Sequence, residues 1–174
     1  RHSELYRLGA LTFITSVYSA AGGQAELNTT GMLFKLYRDH FGTIPVEVSG
    51  SSPPPAPRTP PGGEQPVVNA GSDTHPLDVA AAWTGDRRLL TIAVVNPTES
   101  AQRLHLDVEG ARLHGKGVLH RLAPQSLTAT VQVGQEPGVQ LEELPVTAPP
   151  GDETFPPFSV TIYSLPAGMV GPRR

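Results

Sequence analysis

A chain of 174 residues that is 38% hydrophobic and 17% charged holds enough apolar material for one core of ordinary size plus added pieces. Its formal charge of −3, from 13 Lys and Arg against 16 Asp and Glu, comes with no basic stripe and no RNP-like or zinc-finger spacing, so a nucleic-acid partner is set aside. Zero cysteines exclude disulfides, thiolate metal sites and cysteine nucleophiles, and they leave the compartment open between secreted, periplasmic and cytoplasmic.

Residues 3–20, SELYRLGALTFITSVYSA, carry neither an initiator methionine nor a cationic leader, so the opening reads as cut. The apolar run over 8–17 is broken by Gly9, Thr12, Thr15 and Ser16 and falls far short of the ~20 residues that span a bilayer, so no membrane partner is expected. A buried helix, or a buried strand and loop, fits that run, and so short an element requires cover from elsewhere.

The next stretch, NTTGMLFKLYRDHFGTIPVEVSG over 28–50, switches from helical to strand periodicity. Asn28, Thr29 or Thr30 can cap a helix, after which Met32, Leu33, Leu36, Tyr37 and His40 share one face and Gly42 stops it. The stripe is expected to be covered by residues outside this chain or by a symmetric partner, because so much apolar surface is costly to leave in water. Residues 43–48 then alternate as a half-buried strand, with Ile44, Val46 and Val48 on one side. Proline-dense residues 50–63, GSSPPPAPRTPPGG, read as an extended strap. Pro54, Pro57, Pro60 and Arg58 satisfy an SH3-ligand pattern, as any stretch so rich in proline would, and the linker reading is preferred.

From Leu77 the chain reads as strands with turn signals every eight to twelve residues. Leu77, Val79, Ala81 and Trp83 alternate; Gly85-Asp86 turns into LLTIAVVN, apolar on both faces and so central in a sheet. Arg103, His105 and Asp107 face out against Leu104, Leu106 and Val108, and residues 118–122, 127–133, 139–144 and 159–165 continue the series. One antiparallel β-domain of about seven or eight strands results.

The order MLFKLYRDHFG, strap, LDVAAAWTGDRRLLTIAVVNPTESAQRLHLDVEG and closing FPPFSVTIYSL resembles the C-terminal region of α-L-arabinofuranosidases of glycoside hydrolase family 51. That resemblance implies a mainly β fold, a jelly-roll-like antiparallel sandwich, preceded by the last strand and helix of a (β/α)8 barrel. Residues 1–42 would be the barrel remnant, 43–76 the first sandwich strand and strap, and 77–174 the sandwich. It further implies a retaining enzyme that uses two glutamates about 5 Å apart, both on earlier barrel strands, so no catalytic residue is expected here. Thr12 stands near the place where relatives hold the sugar with a glutamine, a substrate-binding expectation at a position where this residue differs from the family's. Implied partners are the remaining barrel, an arabinofuranosyl-containing glycan and, left open, a second copy; no cofactor is implied.

Other constellations carry less. Glu142 and Glu143 are adjacent in a strand and point to opposite faces, so they cannot share a sugar. Six histidines, His2, His40, His75, His105, His114 and His120, include no i, i+4 pair and no HExxH, so no metal site is expected. Asn28-Thr29-Thr30 matches a glycosylation acceptor, a motif common by chance. Trp83 and Tyr163 could stack a sugar, yet the alternation of Trp83 with Val79 favours the core. Two functions remain: a structural part of an arabinofuranosidase, or a stand-alone carbohydrate-binding or interaction module.

Overall fold

The computed structural model describes residues 17–52, 73–126, 128–129, 131–147 and 150–170. Residues 8–16 of the apolar run expected as a buried helix or strand, most of the proline-rich strap and Thr12 lie outside the described residues.

The first described element is a hairpin, β1 Tyr18–Ala21 with β2 Gln24–Leu27. Gly22 and Gly23 close it at φ of 59° and 79°, the two left-handed positions of a type I′ turn, which glycine adopts without steric cost. Helix α1, Thr29–His40, follows. Asn28 caps it, with the Asn28 Oδ1 accepting from the Gly31 N–H at 3.0 Å, and Arg38 and His40 place basic groups at the negative end of its dipole. The Phe41 N–H already donates to the Tyr37 carbonyl as the helix ends. Gly42 therefore does something other than stop the helix: a Cβ there would lie 2.4 Å from the Trp83 carbonyl oxygen. Its absence lets the chain pass so close that the Gly42 N–H donates to the Thr91 hydroxyl at 2.8 Å.

A seven-stranded antiparallel sheet carries the rest. Its strands are β3 Ile44–Val46, β4 Asp78–Trp83, β5 Leu89–Asn96, β7 Ala111–Leu113, β8 Gly117–Pro124, β9 Val139–Val146 and β11 Ser159–Met169. The order is β3-β4-β5-β11-β8-β9, with β7 pairing the end of β11. A separate ribbon, β6 Gln102–His105 with β10 Asp152–Phe155, lies over one face. On that face Val79, Trp83, Leu90, Ile92, Val94, Tyr163 and Leu165 pack with Phe155 of the ribbon. On the other, Ala93, Ile162, Leu122 and Val139 receive Leu36 of α1, flanked by Met32, Leu33, Tyr37 and Phe41. The antiparallel β-sandwich expected from the sequence is thus observed, and LLTIAVVN spans β5 as a strand buried on both faces.

Two expectations are corrected, and four short strands are added. The stripe of α1 is seated on the chain's own sheet: Leu36 is 1% exposed against Ala93, Leu122 and Ile162, with Leu33 and Tyr37 half-buried beside it. The segment expected as a strand over 127–133 forms none among its described residues. β9 has taken the edge of β8 from Pro124↔Val139 onward, and Ala129 and Val131 pack beside the helix instead. Strands β1, β2, β7 and β10, each only three or four residues long, are too short to show as periodicity in the sequence.

Asn96 pins the ribbon. Only 1% exposed, its amide donates to the carbonyls of Phe155 (3.1 Å), Pro156 (2.8 Å) and Ser100 (2.9 Å), while its Oδ1 accepts from the Thr98 N–H and hydroxyl. A buried amide so engaged avoids the desolvation penalty of an unmet polar group. Tyr163 is the contrast: 1% exposed and edge-on to Phe155, its hydroxyl has no hydrogen-bond partner among the described residues. Burial raises its pKa, and the Glu153 carboxylate adds to the rise from nearby without meeting hydrogen-bond geometry.

Two stability measurements follow from this packing. Trp83→Ala removes a buried indole from the ribbon-side core and should cost about 3–5 kcal/mol, read as a fall in the denaturation midpoint at unchanged m-value. Tyr163→Phe removes a buried hydroxyl that has no hydrogen-bond partner among the described residues, a group whose burial costs about 1–3 kcal/mol, and should melt at or above the parent temperature.

Candidate functional site

The expected site residues do not converge. Thr12 is outside the described residues. Glu142 and Glu143 sit on edge strand β9 opposite Arg121 and His120, and alternation sends them to opposite faces, both exposed. Trp83 and Tyr163 are 6% and 1% exposed within the core, so neither offers a ring face to a sugar. No group of three metal-ligating side chains occurs among the described residues, and no described helix is long and apolar enough to cross a membrane.

Two local arrangements do form. At the end of α1 the ring of His40 stacks on His120 of β8, centroids 3.6 Å apart and 24° from parallel. The His120 side chain is 8% exposed, and its Nδ1 lies 3.8 Å from a Glu143 carboxylate oxygen. Burial lowers the His120 pKa, a charge on His40 lowers it further, and Glu143 opposes both. The sequence hid this contact because 80 residues of chain separate two elements that only packing brings together.

The second arrangement is a groove of about 440 Å³ at one end of the sandwich, lined by Asp86, Arg87, Arg88, Leu89, His114, Pro166 and Ala167. The tight turn between β4 and β5 builds one wall. There the Asp86 carboxylate accepts from the Thr84 hydroxyl and the Arg88 N–H, and these bonds, the hydroxyl first, lower its pKa. Arg87 takes φ of 56° at the tip. The end of β11 supplies the floor and is tied to both walls, with the Ala167 N–H donating to the Arg88 carbonyl and the His114 N–H to the Pro166 carbonyl. The doublet Arg87-Arg88 in a turn was the only sequence signal of this groove; His114 and Pro166 reach it through strand register.

Comparison with known proteins bears on the fold. No family model and no curated protein matches the sequence. Among solved structures, the thermostable GH51 α-L-arabinofuranosidase from Thermotoga petrophila RKU-1 superposes over 85% of this chain with TM-score 0.67 at 22% identity. The α-L-arabinofuranosidase of Thermotoga maritima in its arabinose complex does so over 86% with TM-score 0.66 at 21% identity. The fold is that of a segment of GH51 arabinofuranosidases. This chain spans 31% of the length of each of those two proteins. BpGH86A, a β-porphyranase of glycoside hydrolase family 86 from the gut bacterium Bacteroides plebeius, matches over 84% with TM-score 0.52 at 15% identity. Two glycosidase families thus share this architecture, so the sandwich as such does not select a glycan.

The stacked histidines generate a pH prediction. A folded-state pKa below the ordinary value of about 6.5 means that neutral His120 adds stability above that value and loses it as pH falls through the lowered folded value. Denaturant titrations at successive pH values should show stability falling on the acid side of about 6.5. His120→Gln should flatten that part of the profile, and an unchanged slope would show that the pair carries none of it.

Proposed function

We propose that this chain is the structural β-sandwich portion of a retaining α-L-arabinofuranosidase, an enzyme that removes non-reducing terminal arabinofuranosyl residues from arabinoxylan- or arabinan-type glycans. The observation that carries this reading is the superposition of 85% of the chain on a GH51 arabinofuranosidase of which it spans under a third. The blocks MLFKLYRDHFG, VVNPT and SVTIYSL are the ones that resemble the same family.

In this reading the acid/base and nucleophile glutamates belong to the (β/α)8 barrel outside these residues, and residues 1–42 are the last part of that barrel. The interior of the sandwich supports the assignment. Asn96 of the VVNPT block spends its hydrogen bonds on the backbone of the ribbon and adjoining loop, and the only tryptophan is a core residue. Neither is left to hold a substrate, so the resemblance rests on residues whose work is architectural. Phe34, 49% exposed on the side of α1 turned from the sheet, is a surface the barrel would cover. A stand-alone binding module has less support, since Trp83 and Tyr163 are withdrawn from any sugar-stacking face.

The 174-residue chain should give no turnover of an aryl α-L-arabinofuranoside above blank, while the complete polypeptide, barrel included, should hydrolyse it with retention. Turnover by the short chain that survives repurification, or a complete polypeptide inert toward every arabinofuranoside tried, would overturn the reading.

A further inference from the structure

We propose that the groove between the β4–β5 turn, the His114 loop and the end of β11 binds a sugar acid, a hexuronate whose carboxylate meets Arg87 and Arg88. The argument begins with charge. In a chain of net charge −3, Arg87, Arg88, Arg112 and Lys116 are exposed around this end of the sandwich. None of them forms an ion pair with another described residue. Elsewhere Lys35 and Arg38 are engaged by Asp39, and His105 by Asp152. Arg103 of the ribbon and Arg121 of β8 also lack an ion pair among the described residues, but each stands alone, whereas Arg87 and Arg88 are adjacent in one turn and both line the groove. The one acid in the lining, Asp86, holds the turn together by accepting from Thr84 and Arg88, which leaves two guanidinium groups against one committed carboxylate.

Shape and floor chemistry narrow the ligand. A groove of about 440 Å³ admits a single sugar ring with room at its ends. Leu89, Pro166 and Ala167 line it with apolar groups on which the C–H face of a pyranose can rest, while the charged side chains rise from the turn. No Trp, Tyr or Phe stands among the described lining residues to offer a neutral sugar a broad apolar ring face. Planar guanidinium groups instead match a carboxylate through paired N–H donors. Among the described residues the Arg87 side chain meets the Met169 sulfur, 3.7 Å from its Nη1, a weak acceptor that an incoming carboxylate displaces. His114 completes the opposite side. With its Nδ1 3.3 Å from the Arg112 carbonyl, the Nε2 is left to meet a ring hydroxyl. That the carboxylate belongs to a sugar, and not to another organic acid, rests on the proposed function, since glycans in which arabinofuranosyl groups occur can also carry uronic acids.

The test is calorimetric titration of the 174-residue chain with trigalacturonate at low ionic strength, with xylotriose as the neutral arm and sulfate as the inorganic arm. Trigalacturonate should bind saturably and weaken as salt is raised; xylotriose should give no heat, and sulfate at equal concentration should compete poorly. Arg87→Asn, which tolerates the left-handed turn position, combined with Arg88→Gln should lower trigalacturonate affinity at least tenfold at unchanged melting temperature. Arg88→Gln alone should lower it severalfold and serves if the double variant folds poorly. Absence of trigalacturonate binding, equal response to xylotriose, full competition by sulfate, or affinity retained in the variants would each overturn the proposal. The outcome is separable from the enzyme assignment. Trigalacturonate binding beside an inert complete polypeptide removes the arabinofuranosidase reading alone, and active enzyme without trigalacturonate binding removes this groove alone.

Discussion

Burial of the β5–β11 pair on both faces is the constraint from which the other features of this chain follow. Eight residues of each strand are in register, from Ser159↔Asn96 to Pro166↔Leu89, and alternate side chains supply two separate cores. A sheet with one wet face needs one cover; a sheet apolar on both sides needs two. The β6–β10 ribbon and α1 are those covers. Each fully buried aliphatic or aromatic side chain contributes about 1.5–3 kcal/mol, so the helix is part of the stability of the sandwich and not an appendage to it.

Both covers are fastened at points where ordinary packing would leave them free to slide. The ribbon is held by Asn96, whose amide spans the carbonyls of Phe155 at the end of β10, Pro156 after it and Ser100 before β6. The helix is held at its end by the close approach of Gly42 to β4 and β5, with the Thr91 hydroxyl accepting from Gly42 and donating to the Ala82 carbonyl at 2.9 Å. Directional bonds of this kind set position more than they add stability, because a satisfied hydrogen bond nets only about 0.5–1.5 kcal/mol. The stack of His40 on His120 lies at the same end of the helix.

A sandwich organised in this way has its chemistry, if any, at its ends. The interior is filled, and the two sheet faces are occupied by ribbon and helix. Turns and strand ends remain, and the described residues concentrate unmatched positive charge at one of them. An arabinofuranosidase segment and a porphyranase segment share this architecture, so the fold by itself assigns no ligand.

By itself the sequence determined the elements with strong periodicity. LLTIAVVN demanded a strand buried on both faces, Asn28 and the 32-33-36-37 stripe demanded a capped amphipathic helix, and the alternation around Trp83 placed that ring inside. These are local signals, carried by neighbours within a turn or a pleat. Short elements such as β7 and β10 hold, in three or four residues, too few alternations to stand out from loop, whereas the Gly22-Gly23 pair of the first hairpin is a local turn signal. What only tertiary structure decided was partnership. Periodicity says that a face must be covered and is silent on what covers it, so the helix stripe was assigned an outside partner when the second face of the sheet was its seat. The same holds for His40 with His120 and for the Arg87–His114 groove: residues distant in the chain meet through strand register and helix docking, which depend on the sum of many weak contacts.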